Sequence, residues 1–218
     1  MTEQVASVAS LRIADGLRRA ILAGELQPGT RVRQVDVAAR YGASRLPVRE
    51  ALRILASDGL VTLVANSGAW VSQLDEHECA EIYEIRERLE PLLLRESLPH
   101  LTEEDVRTLA GLAEDMERQS EVEAFLRLDR EFHLLSYSRA ETLMLSPMID
   151  RLWNTTQHYR RAFALVVGTE GRRAVHLEHH LLVDAILRED ALDAERVLAG
   201  HIRRTRLELG HHPEIFGP

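Results

Sequence analysis

Apolar residues recur at helical spacing along most of the chain, and one short N-terminal stretch departs from that spacing. Before this stretch, the periodicity and the Pro28-Gly29 turn predict helices at residues 11–22, 34–41 and 45–58. The stretch itself is rich in β-forming residues at 60–64 and 69–72, with a turn at 66–68. Three helices followed by a hairpin predict a winged helix-turn-helix over residues 1–73.

The remainder of the chain, from Leu74 onward, has an entirely helical pattern. The pattern predicts six helices, at residues 75–98, 102–118, 121–138, 141–166, 170–189 and 191–209. Short connections favour antiparallel neighbours, so we expect an all-α antiparallel bundle over residues 74–210, followed by a tail at 211–218. The expected fold class is mainly α, with a winged module joined to a helical bundle.

Charge is distributed unevenly between these two parts. The whole chain has a formal net charge of −8, but residues 1–74 hold nine arginines and six acidic residues, which leaves −11 on the remainder. A basic module joined to an acidic one is typical of proteins in which only one part meets DNA. With one cysteine, no long apolar run and no secretion-signal pattern, we expect a cytoplasmic protein without membrane spans or intrachain disulfides.

The third predicted helix has the two faces that a DNA recognition helix needs. Its back is apolar at helical spacing, at Val48, Leu52 and Leu55. Arg45 and Arg49 lie four residues apart on the opposite front, and Arg53 continues that face. The side chain of Ser44 is placed to cap the helix. The same arginines are also compatible with a solvated helix face that carries charge pairs.

The sequence around this helix resembles the GntR family of regulators. The resemblance rests on four segments, Leu26–Val32, Gly42–Leu52, Asp58–Val61 and Asn66–Val71. It implies that Arg45 and Arg49 contact operator DNA and that residues of the wing enter the minor groove.

Two positions depart from the family pattern. Leu46 stands where Thr is commoner and Ser67 where Arg is commoner, so the operator sequence does not transfer from relatives. For Arg31 and Arg33, a phosphate contact and an ordinary surface position are equally open. The expected DNA-binding residues are Arg31, Arg33, Ser44, Arg45, Leu46, Arg49, Arg53, Asn66, Ser67 and Gly68.

Four metal-binding side chains fall on inward stripes of three predicted bundle helices: Asp129, His133, His179 and His201. A carboxylate on a core-facing stripe is costly unless it is paired. Three imidazoles and a carboxylate suit Zn²⁺, Ni²⁺, Mn²⁺ or Fe²⁺, and we expect Zn²⁺ in the purified protein. Two alternatives stay open, namely ordinary core histidines and chelation by His176 and His180 on a neighbouring stripe.

Residues 77–209 resemble the FCD ligand-binding domain of the FadR-type subfamily, and six helices favour its VanR-like branch. The resemblance rests on Glu81–Arg86, Asp129–His133, Glu178-His179 and His201. It implies that the aspartate and three histidines hold a divalent ion beside a cavity for a small carboxylate. The resemblance matches Arg86 to a ligand-contacting arginine, with a surface ion pair to Glu90 as the alternative.

The fourth bundle helix offers further residues that could line the same cavity. The expected effector-binding set is Arg86, Asn154, His158 and Arg161, and Arg160 is a further candidate.

These expectations describe a homodimeric, metabolite-responsive repressor rather than an enzyme. Its partners would be double-stranded operator DNA with a pseudo-palindromic sequence and a small organic acid, with a hinge at Val71–Asp75. One alternative is a metal-responsive repressor, in which the ion itself is the signal. A purely structural metal is another. A helical-bundle metalloenzyme would leave the DNA-binding module unexplained.

Overall fold

The computed structural model describes residues 7–65 and 67–216. The chain divides into two compact units. The first comprises residues 1–73 together with 150–158, and the second comprises residues 74–149 and 159–218.

The first unit contains the predicted winged helix-turn-helix. Its elements are α1 (Val8–Leu22), β1 (Arg31–Val32), α2 (Gln34–Tyr41), α3 (Arg45–Ser57), β2 (Val61–Val64) and β3 (Gly68–Val71). Apolar side chains from all three helices and all three strands form one core, which includes Ile13, Val37, Leu55, Val61 and Val71. The fold class predicted for this part of the chain is confirmed.

The wing is a small antiparallel sheet in the strand order β1-β3-β2. Val61 pairs with Val71 across β2 and β3, which is the predicted hairpin. The short strand β1 pairs its Arg31 with Trp70 of β3 and was not predicted, because two residues are too few for a periodic signal.

The second unit is the predicted helical bundle. Its helices are α4 (Glu76–Ser97), α5 (Glu103–Glu117), α6 (Val122–Tyr137), α7 (Leu145–Leu187) and α8 (Ala191–Leu209), with short 3₁₀ turns at Leu98–His100 and Pro213–Phe216. Two of the helices begin with reciprocal capping hydrogen bonds. Asp75 and Glu78 start α4, and Thr102 and Asp105 start α5. Among the described residues, no helix combines the length and the apolar composition needed to cross a bilayer.

Helix α7 contains two helical segments joined by a turn at Gly168, whose φ is +59° and ψ −164°. Side chains on both sides of that turn approach the same carboxylate, since Arg160 Nη1 lies 3.3 Å and His179 Nε2 3.5 Å from Asp129 oxygens. Nineteen residues of straight helix would separate residues 160 and 179 by about 28 Å. The chain therefore turns back at Gly168, which agrees with the predicted break between helices at 141–166 and 170–189.

Three local predictions are corrected. Helix α1 begins at Val8 rather than residue 11, because Ser7 caps it by accepting from Ser10 N–H. Helix α7 begins at Leu145 rather than residue 141, and Pro147 fits in its first turn, where no amide hydrogen is needed. Ser44 occupies the N-cap position of α3 but makes no capping hydrogen bond, and its side chain is exposed to solvent.

We expect Gly168→Ala to lower the free energy of unfolding by about 1–3 kcal/mol, because its backbone conformation is essentially restricted to glycine. Apart from its own helix backbone and the two neighbouring residues, no described atom lies within 4 Å of a Cβ built at this position, so a steric clash would not contribute. Chemical denaturation followed by circular dichroism measures the change.

Gly111→Ala in α5 is the matched control, since a Cβ there would likewise meet no described atom within 4 Å outside the local helix backbone and its φ is not positive. The free energy of unfolding of this variant should rise by about 0.5–1 kcal/mol, because alanine is more favourable than glycine in a helix interior. Equal effects of the two substitutions would contradict the backbone explanation.

Candidate functional sites

Helix α3 separates an apolar back from an arginine-bearing front. Val48, Leu52 and Leu55 are at most 1% exposed and pack into the core of the first unit. Arg45 and Arg49 are exposed on the other face, four residues apart. Leu46 is 68% exposed, so an apolar side chain lies on the surface next to Arg45. The helix is thus fixed from behind and presents a basic surface to solvent.

Arg31 connects the wing to the strand before α2. Its Nη2 donates to the carbonyl oxygen of Ser67 at 2.9 Å, and its guanidinium lies 5.5 Å from the centre of the Trp70 ring. Arg33 is exposed and lies 3.9 Å from an oxygen of Asp36. The predicted wing residue Asn66 lies outside the described residues.

A basic cleft of about 590 Å³ lies between the wing and the helices of the first unit. Four arginines contribute to its lining: Arg31, Arg33, Arg49 and Arg53. Arg53 is also exposed and lies 3.7 Å from Glu50 on the preceding turn. Arginines around an open cleft suit contact with the phosphate backbone of nucleic acid.

The second unit brings together the predicted metal ligands of α6, α7 and α8. Asp129, His133, His179 and His201 are all buried, and each offers one ligand atom within 4.8 Å of the others. The Nε2 atoms of His133 and His179 are 3.3 Å apart and lie 3.7 and 3.5 Å from Asp129 Oδ1. Helical periodicity placed these side chains inward, and the bundle packing makes them meet.

Burial keeps two of these imidazoles neutral. It lowers the pKa of His133 and of His179 well below the usual histidine value, and the neighbouring His201 lowers both further. A neutral imidazole has one nitrogen lone pair available for a cation. The donor set of three imidazoles and one carboxylate therefore fits a divalent transition-metal ion.

A buried chain of hydrogen bonds orients His133. Tyr137 OH lies 3.3 Å from His133 Nδ1 and donates to Glu90 Oε2 at 2.8 Å, while Arg86 Nε donates to Glu90 Oε1. Burial raises the pKa of Tyr137 well above its usual value, so the phenol keeps its proton. With Tyr137 donating to Glu90, its oxygen is placed to accept from His133 Nδ1–H. The ring nitrogen Nε2 then faces the cluster with its lone pair.

A second carboxylate orients His201. Glu178 Oε2 lies 3.0 Å from His201 Nδ1, and Glu178 Oε1 accepts from Arg204 Nε at 2.7 Å. Burial alone would raise the pKa of Glu178, but hydrogen bonds from His201 and Arg204 hold it below its usual value. The carboxylate therefore stays ionised and can hold a proton on His201 Nδ1, which leaves Nε2 for a metal.

The structure gives different surroundings to the predicted effector residues of the fourth predicted helix. Arg160 is buried beside Asp129, whereas Arg161 pairs with Glu123 at 2.7 Å. Asn154 and His158 belong to the first unit, where Asn154 Nδ2 donates to the Asp58 carbonyl oxygen at 3.1 Å. Arg160 contacts the cluster through Asp129, and the set of Arg86, Asn154, His158 and Arg161 stays a prediction.

Arg86 is buried rather than at the surface. Its side chain and that of Glu90 are 3% and 0% exposed, so the surface ion pair considered from the sequence is replaced by a buried one. Burial alone would lower the pKa of Arg86, but the Glu90 carboxylate holds it above its usual value.

Sequence reasoning missed the roles of Tyr137 and Glu178, although the four-residue spacing from His133 to Tyr137 is a usable signal.

Comparison with known proteins identifies the type of domain in each part of the chain. Family models match residues 9–71, as bacterial regulatory proteins of the gntR family, and residues 81–204, as an FCD domain. The chain belongs to the GntR family. Its second unit carries the FCD domain that fits the FadR-type subfamily, and its relatives are transcriptional regulators rather than enzymes.

Two curated relatives and one solved structure show the extent of this likeness. The Nta operon transcriptional regulator of Aminobacter aminovorans is 31% identical over 82% of this chain and 83% of its own. The gluconate operon transcriptional repressor of Bacillus licheniformis is 30% identical over 88% of this chain and 72% of its own. The structure of E. coli McbR/YncC matches with a TM-score of 0.81 and 26% identity, covering 94% of this chain and 98% of that one.

We expect Glu178→Gln to weaken Zn²⁺ binding about 10- to 100-fold, because the neutral amide no longer fixes the proton on His201 Nδ1. Competition with a fluorescent chelator measures the affinity. Glu117→Gln is the matched control, since Glu117 lies 3.2 Å from His180 in another carboxylate–histidine pair outside the cluster. An unchanged affinity in Glu178→Gln would show that this carboxylate does not support a metal ligand.

Proposed function

We propose that this GntR-family regulator is a metabolite-responsive repressor that senses a small organic acid beside a divalent metal. The observation that carries the proposal is the convergence of Asp129 and three histidine donors within 4.8 Å in the FCD domain. A chain that also carries a basic recognition helix can use such a site to control DNA binding.

The proposed DNA surface consists of the exposed front of α3 and the wing. Arg45 and Arg49 are its principal residues, and the arginine-lined cleft supports further contacts with phosphates. We include Leu46 and Ser67 as positions that alter the operator sequence relative to other family members. The wing position Asn66 remains part of this proposal.

The proposed effector site lies next to Asp129. A bound divalent ion, for which we propose Zn²⁺, would supply a Lewis-acidic position for an oxygen of the effector. Burial lowers the pKa of Arg160 to about 9, so its guanidinium still carries a positive charge at neutral pH beside Asp129. A buried arginine next to the metal ligands suits a carboxylate, and Arg86 contributes by holding Glu90 and, through Tyr137, His133.

We propose a cytoplasmic homodimer with domain boundaries at 1–73 and 74–210 and a tail at 211–218. Two winged modules would then bind two half-sites whose centres are about 34 Å apart or a multiple of that distance. The repressor function of a relative that controls a gluconate operon supports this direction of control. Size-exclusion chromatography with light scattering tests the dimer directly.

We expect Arg45→Ala and Arg49→Ala each to weaken binding to a selected operator by about 1–3 kcal/mol if the side chain reads a base. If the side chain touches only phosphate, the slope of log K against log salt should fall by about one instead. Fluorescence anisotropy at several salt concentrations distinguishes the two. Arg88→Ala, which removes an exposed arginine of α4 paired with Glu84, is the control. Unchanged binding in both α3 variants would contradict the proposed recognition helix.

Alanine substitution of the four proposed ligands should reduce the metal content of the purified protein. Elemental analysis with native mass spectrometry measures the bound ion and any co-purified acid. His176→Ala and His180→Ala are the controls, because these histidines lie on the neighbouring face of α7. Full metal content in the ligand variants would exclude the site. If removal of the metal lowers only stability and leaves effector and operator binding intact, the ion is structural.

A further inference from the structure

The hydroxyl of Tyr159 binds the backbone of Leu74, where the chain passes from the first unit to the second. The chain crosses from the first unit to the second at residues 73/74 and again at 158/159. Tyr159 accepts a hydrogen bond from Leu74 N–H at 2.6 Å and donates one to the Leu74 carbonyl oxygen at 2.8 Å. Leu74 is the first residue after one crossing, and Tyr159 is the first residue after the other. The Tyr159 hydroxyl therefore binds both the N–H and the carbonyl oxygen of Leu74.

We call the two hydrogen bonds between Tyr159 and Leu74 the clamp. Hydrogen bonds also hold the chain on either side of it. On the first side, Ser72 N–H donates to the Leu60 carbonyl oxygen at 3.0 Å. On the second side, Asp75 caps α4 through its hydrogen bonds with Glu78. Within the predicted hinge at Val71–Asp75, Gln73 and Leu74 lie between these two attachments, and Tyr159 holds Leu74.

Helix α7 carries contacts of both units on successive turns. Within the first unit, Asn154 and Thr155 donate to the carbonyl oxygens of Asp58 and Gly59, immediately after the recognition helix. Within the second unit, Arg160 contacts the proposed metal ligand Asp129 at 3.3 Å. Tyr159 lies between these contacts along the same helical backbone.

We propose that Tyr159 is the positioning residue that couples occupancy of the Asp129 cluster to DNA binding by clamping Leu74. This inference rests on the proposed function, because it assumes a metal site and an operator. Zn²⁺ bound at Asp129 changes the contact between Arg160 and this carboxylate and thereby shifts the adjacent Tyr159. The two hydrogen bonds to Leu74 transfer that shift to the linker.

The surroundings of Tyr159 make the hydroxyl separable from the ring. Burial raises the pKa of Tyr159 to about 12, so the phenol donates throughout the physiological range. The ring stacks on Phe216, with centroids 5.2 Å apart and planes at 18°. Tyr159→Phe therefore removes the two hydrogen bonds to Leu74 and keeps the aromatic packing.

The first test is hydrogen exchange of metal-free protein, which needs no DNA and no ligand. The Leu74 amide should exchange about three- to tenfold faster in Tyr159→Phe, the factor expected for one lost hydrogen bond. Tyr83→Phe is the matched control, since among the described residues the buried Tyr83 hydroxyl has no hydrogen-bond partner. Unchanged exchange at Leu74 in Tyr159→Phe overturns the clamp. In the wild type, adding Zn²⁺ should change exchange at Leu74, and no change also overturns the inference.

The second test compares operator affinity with Zn²⁺ and after chelation, on DNA selected from a random library with the wild-type protein. The ratio of the two affinities should differ from one in the wild type and in Tyr83→Phe. In Tyr159→Phe it should fall to about one, at unchanged metal content. A wild-type ratio of one, or an equal ratio in Tyr159→Phe, overturns the coupling role. Failure of the wild type to select any DNA sequence would instead overturn the proposed function.

Discussion

The packing of the FCD domain depends on a buried carboxylate. Asp129 is 7% exposed, and taking an ionised carboxylate out of water costs several kcal/mol unless partners compensate for the lost hydration. Its partners are His133 on the same helix and Arg160 and His179 on the two segments of α7. The helices must therefore pack so that these side chains meet at Asp129. A cation bound among the imidazoles would also compensate for the lost hydration of this carboxylate.

The meeting of these side chains at Asp129 depends on the turn at Gly168. The orientation of two of the imidazoles depends on hydrogen bonds to their Nδ1 atoms. The turn brings the two segments of α7 to the same carboxylate, and Arg172 stabilises it by donating to the Gly168 carbonyl oxygen at 3.3 Å and to that of Ser120 at 3.0 Å. Tyr137 and Glu178 then fix the imidazoles of His133 and His201 from behind. The cluster is thus pre-organised by the protein itself, which would reduce the cost of ordering its side chains around the proposed ion.

Periodicity carried most of what could be predicted. In α3 it identified the buried back at Val48, Leu52 and Leu55, because a helix exposes the same face every three to four residues. In the bundle the same rule placed the aspartate and the histidines on core-facing stripes. Local sequence signals predicted less where the same residue types are compatible with several local structures. Ser44 has the residue type of a helix cap but forms no capping hydrogen bond, and the two-residue strand β1 has no period to detect.

The sequence by itself determined the winged module, the helical bundle and the face on which each proposed ligand lies, because these follow from spacing within single segments. Only the tertiary structure decided which side chains meet. Arg160 rather than Arg161 contacts Asp129, since neighbouring helical residues point about 100° apart and the rotation of α7 against α6 selects between them. The clamp between Leu74 and Tyr159 joins residues 85 positions apart. No periodicity encodes such a contact, because it depends on how whole helices are placed against one another.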